Sequence, residues 1–371
     1  MRIAIVGSRG IPNCYGGFEQ FAEYLSIGLT KLGVNVTVYS PHFHKFQESQ
    51  FNSVSIIHKW CPESILGASA HFFYDYLSIK DALGKDFDII YSLGYGTSSM
   101  SYLLLPINKK ILVTNMDGLE WKRDKWSPFV KRLTKWFEKI GALKSHYLIS
   151  DNSGIQDYIQ NTYKKNSYMI PYGADAIKPP SNQHVLDEFN LDPNEYFVLI
   201  ARLEPENNIE MILDGFISSK STVPFIVIGN SSTKYGSILQ EKYKNTVISF
   251  IGTVYDIHKL NDIRFYSKAY FHGHSVGGTN PSLLEAMASH TFIFAHDNKF
   301  NKSVLEDAAY YFNSDSDVEH LIMSFNQISE NKETMINLNL KKINSTYNWK
   351  FIIKQYYQLF KNICQKGTHF N

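Results

Sequence analysis

Short runs of β-branched and aromatic residues alternate with longer helical patterns along almost the whole chain. Near-continuous apolar strands separated by helices are typical of a parallel sheet that is covered on both faces. The pattern restarts midway, which indicates two doubly wound α/β domains in tandem and not one barrel. Strands are predicted at 2–7, 35–39, 54–57, 88–93, 111–115, 146–151 and 168–171, and then at 196–202, 225–229, 247–252, 269–273 and 291–296.

The restart falls in a Pro- and Gly-rich segment, 171–181, which places a domain boundary near residue 175. A chain of 371 residues also exceeds what one hydrophobic core usually supports. We therefore predict a Rossmann-like domain at 1–175, a second at 176–348, and a terminal helix at 349–371 that returns to the first domain. Ligands of such sheets bind beyond the carboxyl ends of the strands, so the two domains are expected to face each other across a cleft.

Composition excludes several classes of protein. A net charge of +2 argues against a nucleic-acid binder, so no nucleic acid is expected as a partner. The first residues are predicted to form a strand and not a signal peptide, and no apolar run is long enough to span a membrane. The three cysteines, Cys14, Cys61 and Cys364, lie far apart without metal-type spacing. They are interpreted as reduced thiols of a cytoplasmic protein.

The most informative motif follows the predicted strand at 269–273. Two glycines there let the backbone approach a ligand, and Asn280 and Pro281 suit the N-cap and first residue of a helix. The free N–H groups and the dipole of such a helix start favour a phosphate. Glu285, one turn inside, is placed to accept hydrogen bonds from sugar or ribose hydroxyls. The alternative is an ordinary turn with a surface Glu. The candidate donor-binding residues are Gly277, Gly278, Thr279, Asn280 and Glu285.

A second glycine pair stands in the loop after the first strand. Gly16 and Gly17 precede a predicted helix that runs to about residue 32, so their amides are candidates for binding a phosphate or its attached sugar. Glu19 lies in the first turn and is a candidate acceptor-binding residue. The alternative is that the glycines only permit a tight turn and that Glu19 only balances the helix dipole.

Arg202 ends the first strand of the second domain. Its planar guanidinium matches the oxygens of a diphosphate, which makes it the leading catalytic and donor-binding candidate. A structural ion pair with Glu204 or Glu206 is the competing interpretation.

The segment 115–126 ends another strand of the first domain and crowds acidic, basic and indole side chains together. Asp117 is a candidate catalytic group that could take a proton from an acceptor. Glu120 and Arg123 are candidate acceptor-binding residues. Asp117 and Glu120 also suit solvated loop positions.

A helix is predicted at 127–145, with Ser127 as N-cap and Pro128 in first position. Eight basic residues stand against two acidic ones between 121 and 145. Such a basic helix flanked by Trp indicates contact with an anionic membrane surface. The alternative is a surface helix whose apolar side packs on its own sheet. The predicted basic face holds Lys131, Arg132, Lys135 and Lys139, and the opposite face holds Phe129, Val130, Leu133, Trp136, Phe137, Ile140 and Leu143.

With both loops considered, the chain resembles a family 4 (group 1) glycosyltransferase of the two-Rossmann-domain type called GT-B. Its first half is similar to the uncharacterised N-terminal domain attached to bacterial rhamnosyltransferases, through the strings at 7–19 and 117–123. The resemblance implies retaining transfer from a nucleoside-diphosphate sugar, without metal or other cofactor, to a glycan or polyprenyl-diphosphate-linked acceptor. By that likeness Arg202 neutralises the diphosphate, Gly16 and Gly17 meet phosphate or sugar, and Glu285 binds the ribose.

Three positions depart from the family pattern. Gly277 stands where a Glu is usual, eight residues before Glu285, and Asn207 and Asn208 stand where a Lys is usual. Met116 and Asp117 replace a frequent His. These losses fit a deoxysugar donor, such as L-rhamnose on dTDP, and they also fit an inactive copy.

The leading hypothesis is a cytoplasmic rhamnosyltransferase of surface polysaccharide synthesis, attached peripherally at the inner face of the plasma membrane. Stabilisation of the leaving diphosphate by oriented amides and Arg202 would be its main catalytic effect. The alternatives are a sugar-nucleotide epimerase of the same fold and a non-catalytic GT-B scaffold in a polysaccharide assembly complex.

Overall fold

Two separate β-sheets organise the chain. The computed structural model describes residues 1–14, 16–116, 118–123 and 126–367. Contacts divide it into one unit of Met1–Lys122, Trp126–Gly173 and the segment from Trp349, and a second unit of Ala174–Asn348 together with Arg123. Each unit has a parallel sheet with helices, so the predicted Rossmann-like architecture of both halves is confirmed.

The sheet of the first unit has the order β3-β4-β2-β1-β5-β6-β7-β8 and is parallel except for the pairing of β3 with β4. Its central strand exposes neither face, since Ile3, Ala4, Ile5 and Val6 are all fully buried. The short antiparallel β3 was not predicted. The strands are β1 Arg2–Val6, β2 Asn35–Pro41, β3 Gln50–Phe51, β4 Val54–Lys59, β5 Ile89–Ser92, β6 Ile111–Asn115, β7 Tyr147–Ser150 and β8 Tyr168–Met169.

Helices cover this sheet. In the described chain none of them, nor any helix of the second unit, combines the length and apolar character needed to cross a bilayer. The helices of the first unit before its last are α1 Gly17–Lys31, α2 Glu63–Leu66, α3 Ala70–Gly84, α4 Ser98–Leu104, α5 Pro128–Lys144 and α6 Ser153–Tyr163.

The sheet of the second unit is wholly parallel, with the order β11-β10-β9-β12-β13-β14. The sequence prediction ended this sheet at residue 296, which was wrong, because a further edge strand pairs with β13. That strand has only three residues, which is too short for the alternation of apolar and polar residues that identifies a strand in a sequence. The strands are β9 Phe197–Ile200, β10 Phe225–Ile228, β11 Ile248–Gly252, β12 Ala269–His272, β13 Ile293–His296 and β14 Tyr310–Phe312.

The second unit carries nine described helices around its sheet. They are α7 His184–Asp187, α8 Ile209–Ser218, α9 Lys234–Tyr243, α10 Ile257–Phe265, α11 Pro281–Ala288, α12 Lys299–Leu305, α13 Asp315–Met323, α14 Phe325–Ile328 and α15 Lys332–Lys342.

The last helix, α16 (Trp349–Gly367), belongs to the first unit. Trp349 stacks on Tyr24 of α1 with ring centroids 4.7 Å apart, and Tyr91 of β5 donates a hydrogen bond to Tyr356 at 3.1 Å. Gly28 of α1 faces Ile353 so closely that a Cβ there would clash. The return of the terminal helix to the first domain is thus a tightly packed feature of that core.

Candidate functional site

The loop after β12 has the predicted phosphate-binding form. Asn280 caps α11 by accepting a hydrogen bond from the Ser282 amide at 2.9 Å, and Pro281 is the first helical residue. Gly277 has a backbone φ of +125°, which residues other than glycine rarely adopt. The loop therefore depends on this glycine. The amides of Leu283 and Leu284 also bond to Asn280, so the groups that α11 leaves for an anion are its dipole and the amides of the preceding loop.

The loops after β9 and β12 are joined by hydrogen bonds. The amide and hydroxyl of Ser275 both donate to the carbonyl of Glu206, at 3.1 and 2.9 Å. The Asn207 side chain donates to the Arg202 carbonyl at 2.7 Å, and its oxygen lies 2.8 Å from Nδ1 of His274. Arg202 and the glycine loop are consequently positioned by one network within the second unit.

His274 stands in the middle of this network. Burial, aided by the charges of Arg123 and Arg202, lowers its pKa to about 3, so its imidazole is neutral. Asn298 and Asn301 donate to its carbonyl at 3.1 and 3.0 Å. The sequence alone did not reveal this position, because no local signal distinguishes His274 from His272.

The Arg202 side chain is exposed. Among the described residues, no ion pair joins it to Glu204 or Glu206. The ion pair that the competing interpretation requires is thus not formed in the described part of the chain.

Arg123 lies against the loop after β9. Its Nη1 is 3.7 Å from Oε1 of Glu206, and the two side chains are only 16% and 2% exposed. Within the described chain, neither oxygen of this buried carboxylate accepts a hydrogen bond. The contact of Arg123 with an acceptor stays a prediction. Its observed neighbour Glu206 belongs to the loop that also positions Arg202.

Glu285 is not a simple surface residue. Its carboxylate accepts a hydrogen bond from Nη2 of Arg264 at 2.7 Å, and its side chain is 19% exposed against 1% for the arginine. Arg264 also donates to Asn261 and Ser282, at 3.1 and 3.3 Å. The arginine therefore fixes the direction of the carboxylate, a relation between α10 and α11 that the sequence did not reveal.

In the first unit, α1 begins at Gly17 with Gly16 as N-cap, and no side chain caps the helix. Glu19 is almost fully buried and accepts a hydrogen bond from the Arg9 amide at 2.7 Å. Burial raises its pKa, while that hydrogen bond and the Arg9 charge act in the opposite direction. Glu19 thus holds the loop that precedes α1 against the start of that helix. Its role is therefore more than compensating the helix dipole.

A buried carboxylate organises the region around the predicted acceptor segment. Glu138 of α5 accepts hydrogen bonds from Trp121, Lys135, Tyr158 and Tyr163, at 3.0, 3.0, 2.6 and 2.5 Å. The Lys135 ammonium also lies 4.3 and 4.5 Å from the ring centroids of Trp121 and Tyr158. Lys135 therefore does not belong to a solvated basic face, which corrects that part of the prediction.

Glu120 sits in a short 3₁₀ turn, Glu120–Lys122, beside this cluster. Its amide donates to the Tyr95 hydroxyl at 3.2 Å, and that hydroxyl donates to the Gly118 carbonyl at 2.8 Å. The backbone of the turn is thus held by Tyr95, while the Glu120 side chain is half-buried. Asp117, the predicted catalytic group, lies outside the described residues.

The outer surface of α5 differs from its prediction. Ser127 caps the helix and Pro128 begins it, as predicted, but Phe129, Trp136 and Leu143 are 74%, 45% and 46% exposed. The apolar side of α5 therefore does not pack wholly on its own sheet. Helical periodicity identifies apolar positions, and it does not determine how many of them a neighbouring element covers.

Three side chains with metal-ligating atoms meet at one place in the first unit. These atoms of Cys61, Glu63 and His71 all lie within 4.8 Å of one another. Glu63, however, already pairs with the Arg9 guanidinium at 2.9 Å. A cation here would lie beside that fixed positive charge. The group is therefore better described as an ion-pair cluster that joins the start of α2 to Arg9 in the loop after β1.

Comparison with known families divides the chain in the same manner as its two sheets. Residues 1–175 match the Domain of unknown function (DUF1972), and residues 185–345 match Glycosyl transferases group 1. The chain carries a glycosyl transferases group 1 domain. This glycosyltransferase domain contains the Arg202 loop, the glycine loop and Glu285, whereas the DUF1972 domain contains the Gly16–Gly17 helix start and α5.

Solved glycosyltransferase structures share the fold over nearly their whole length, which confirms the GT-B class. Sucrose-phosphate synthase of Thermosynechococcus elongatus aligns with a TM-score of 0.80 at 15% identity, covering 98% of both chains. HepE of Anabaena, in complex with UDP and glucose, aligns at 0.75 and 13%, covering 97% of this chain and 99% of its own. A glycosyltransferase of Rickettsia africae ESF-5 aligns at 0.73 and 12%, covering 98% of each. No curated protein sequence matches the chain.

Proposed function

We propose that the protein is a retaining glycosyltransferase that moves a sugar from a nucleoside diphosphate to a glycan or polyprenyl-diphosphate-linked acceptor in surface polysaccharide synthesis. The observation that carries the proposal is the hydrogen-bonded junction of the Arg202 loop with the glycine loop before α11, through Asn207, Glu206 and Ser275. A guanidinium and the backbone of a glycine loop before a helix start, joined in one network, suit an anion. Binding of UDP by HepE, which has the same fold, supports a nucleotide as the anion.

The chemistry follows from that charge distribution. The bond between the anomeric carbon and the diphosphate oxygen breaks, and its electron pair passes to that oxygen. The acceptor hydroxyl attacks the anomeric carbon on the same face, and its proton passes to the departing diphosphate with Asp117 as assisting base. Arg202 and the amides of 277–280 stabilise the negative charge that develops on the diphosphate, without a metal ion.

The remaining candidates have binding roles in this proposal. Glu285, held in direction by Arg264, accepts hydrogen bonds from the ribose hydroxyls. Gly16 and Gly17 bind phosphate or the attached sugar with the amides of the α1 start. Glu120 binds acceptor hydroxyls, and Glu19 contributes mainly by holding the loop that precedes α1.

The proposed donor is dTDP-L-rhamnose. Gly277 offers no carboxylate to sugar hydroxyls, and a 6-deoxysugar has one hydroxyl fewer to satisfy than a hexose. The likeness of the first half to domains attached to rhamnosyltransferases supports the same choice.

A thermal-shift screen of the whole chain with dTDP-, UDP- and GDP-sugars tests the proposal. We expect one nucleotide to raise the unfolding temperature, since a ligand at 100 times its Kd adds about 2.7 kcal/mol to stability. Mass spectrometry of the same mixtures with acceptor should then show transfer. An isomeric donor formed without acceptor would favour the epimerase, and no shift with any nucleotide would favour the scaffold.

The exposed surface of α5 supports a peripheral membrane attachment as a further part of this function. Phe129 and Trp136 are exposed on the same helix as Lys131, Arg132 and Lys139, which combines apolar and basic groups as interfacial helices do.

Flotation with anionic vesicles tests that attachment. We expect Lys131→Glu/Arg132→Glu/Lys139→Glu to abolish binding, because each basic residue near an anionic surface contributes about 1 kcal/mol. Raising the salt concentration should also weaken the binding of wild type to the vesicles, because salt screens the attraction between the basic residues and the anionic lipids. Lys354→Glu/Lys361→Glu/Lys366→Glu, on the exposed side of α16, makes the same charge change elsewhere and should leave flotation intact. Equal flotation of both triple variants would contradict the attachment by α5.

A further inference from the structure

We propose that Arg123 is a second cation for the donor diphosphate, acting beside Arg202, and that Glu206 positions it there. The inference rests on the proposed donor class. It assigns a binding role to a residue from the DUF1972 segment of the chain, next to loops of the glycosyltransferase domain.

The first argument is the Arg123–Glu206 pair. A carboxylate that is 2% exposed and accepts no hydrogen bond from the described residues is costly unless a counter-charge lies close. Arg123 supplies that charge at 3.7 Å, which is an ion-pair distance longer than a hydrogen bond. The pair therefore draws Arg123 toward the loop after β9 without the bidentate geometry that arginine and carboxylate form when they satisfy each other.

The second argument is the charge around His274. Burial, and after it the charges of Arg123 and Arg202, lower the pKa of this imidazole, and its Nδ1 lies 2.8 Å from Oδ1 of Asn207 in the loop that follows Arg202. His274 is neutral, so its ring adds no charge of its own beside the two guanidinium groups. The start of α11 adds its partial positive charge on the following loop. An anion with two phosphates suits two guanidinium groups and this dipole better than a neutral glycan hydroxyl does.

The third argument is that the loop after Arg202, in the glycosyltransferase domain, lacks a second cation. Asn207 occupies the loop beyond Arg202 and is engaged with the Arg202 carbonyl and with His274. It has no charge to offer a leaving diphosphate. Arg123 reaches the same loop from elsewhere in the sequence and would provide the missing cation.

The test compares nucleoside diphosphates with monophosphates by isothermal titration calorimetry of the full chain. The probes are dTDP, UDP and GDP with their monophosphates, and the nucleotide that binds wild type is used throughout. Because hydrogen bonds to charged groups are strong, Arg123→Gln should weaken diphosphate binding about 10- to 100-fold and leave monophosphate binding nearly unchanged. Arg2→Gln, which removes an exposed arginine of β1 that pairs with Asp86, is the matched control and should change neither.

Arg123→Gln alone leaves Glu206 buried without its counter-charge, so folding needs a separate check. The double variant Arg123→Gln/Glu206→Gln removes both charges and should recover the thermal stability of wild type while the preference for diphosphate stays lost. If wild type binds a nucleotide and either Arg123 variant keeps the full preference, the role of Arg123 is refuted and the proposed function stands. If wild type binds none of the six nucleotides, the proposed donor itself is refuted.

Discussion

Arg202→Gln is expected to lower glycosyl transfer by about 10²- to 10³-fold, the usual effect of losing one donor that stabilises charge in the transition state. The side chain is exposed, and no ion pair holds it among the described residues, so its removal should leave the unfolding temperature unchanged. The measurement is the initial rate with saturating donor, alongside thermal unfolding of the same preparation.

Two further variants sharpen that result. Arg202→Lys keeps the charge and loses the planar fork, so its rate should fall between those of wild type and Arg202→Gln. Arg2→Gln removes an arginine from an exposed position of β1 and should retain the wild-type rate. Unchanged turnover in Arg202→Gln, with donor still bound, would remove the guanidinium from the mechanism.

The features that sequence alone predicted well are those that depend on neighbours in the chain. Asn280 and Pro281 predict a helix start, because a helix cap depends only on residues that are adjacent in the chain. The structure has the cap at that position. Ser127 and Pro128 do the same for α5. Strands with buried apolar runs were located for the same reason, since each carries its signal within five or six residues.

The features that were missed depend on partners far away in sequence. Glu138 is one of two acidic residues among eight basic ones, and only the fold brings Tyr158 and Tyr163 to it. His274 is one of thirteen histidines, and its contact with Asn207 spans 67 positions. A single sequence does not predict such pairings, because neither residue type nor spacing specifies which buried polar groups will contact each other.

The interpretation of α5 shows how the two kinds of information combine. Its apolar positions were identified correctly from a period of 3.6 residues, yet Phe129 and Leu143 remain exposed while Phe137 and Ile140 are buried. The buried part of the helix is set by packing against the neighbouring elements, which the periodic pattern does not contain. Lys135 belongs to the interior cluster for the same reason, although it shares its charge with the outer lysines.

Arg264→Met should have the largest effect on stability of any single change at the donor site. The arginine is fully buried, and its removal leaves Glu285 without the cation that lies 2.7 Å away. Breaking a buried pair by deleting one partner costs about 3–5 kcal/mol, because the remaining charge is uncompensated. The midpoint of urea unfolding should therefore fall sharply.

The double variant Arg264→Met/Glu285→Gln separates stability from binding. With both charges gone, the urea midpoint should return most of the way toward wild type, as replacement of a whole buried pair often does. Nucleotide affinity should nevertheless stay reduced, because a neutral amide accepts more weakly from ribose hydroxyls than a carboxylate that Arg264 holds in place. Full affinity in the stable double variant would show that Glu285 serves the fold of α10 and α11 alone, and the ribose contact would then have to be assigned elsewhere in the domain.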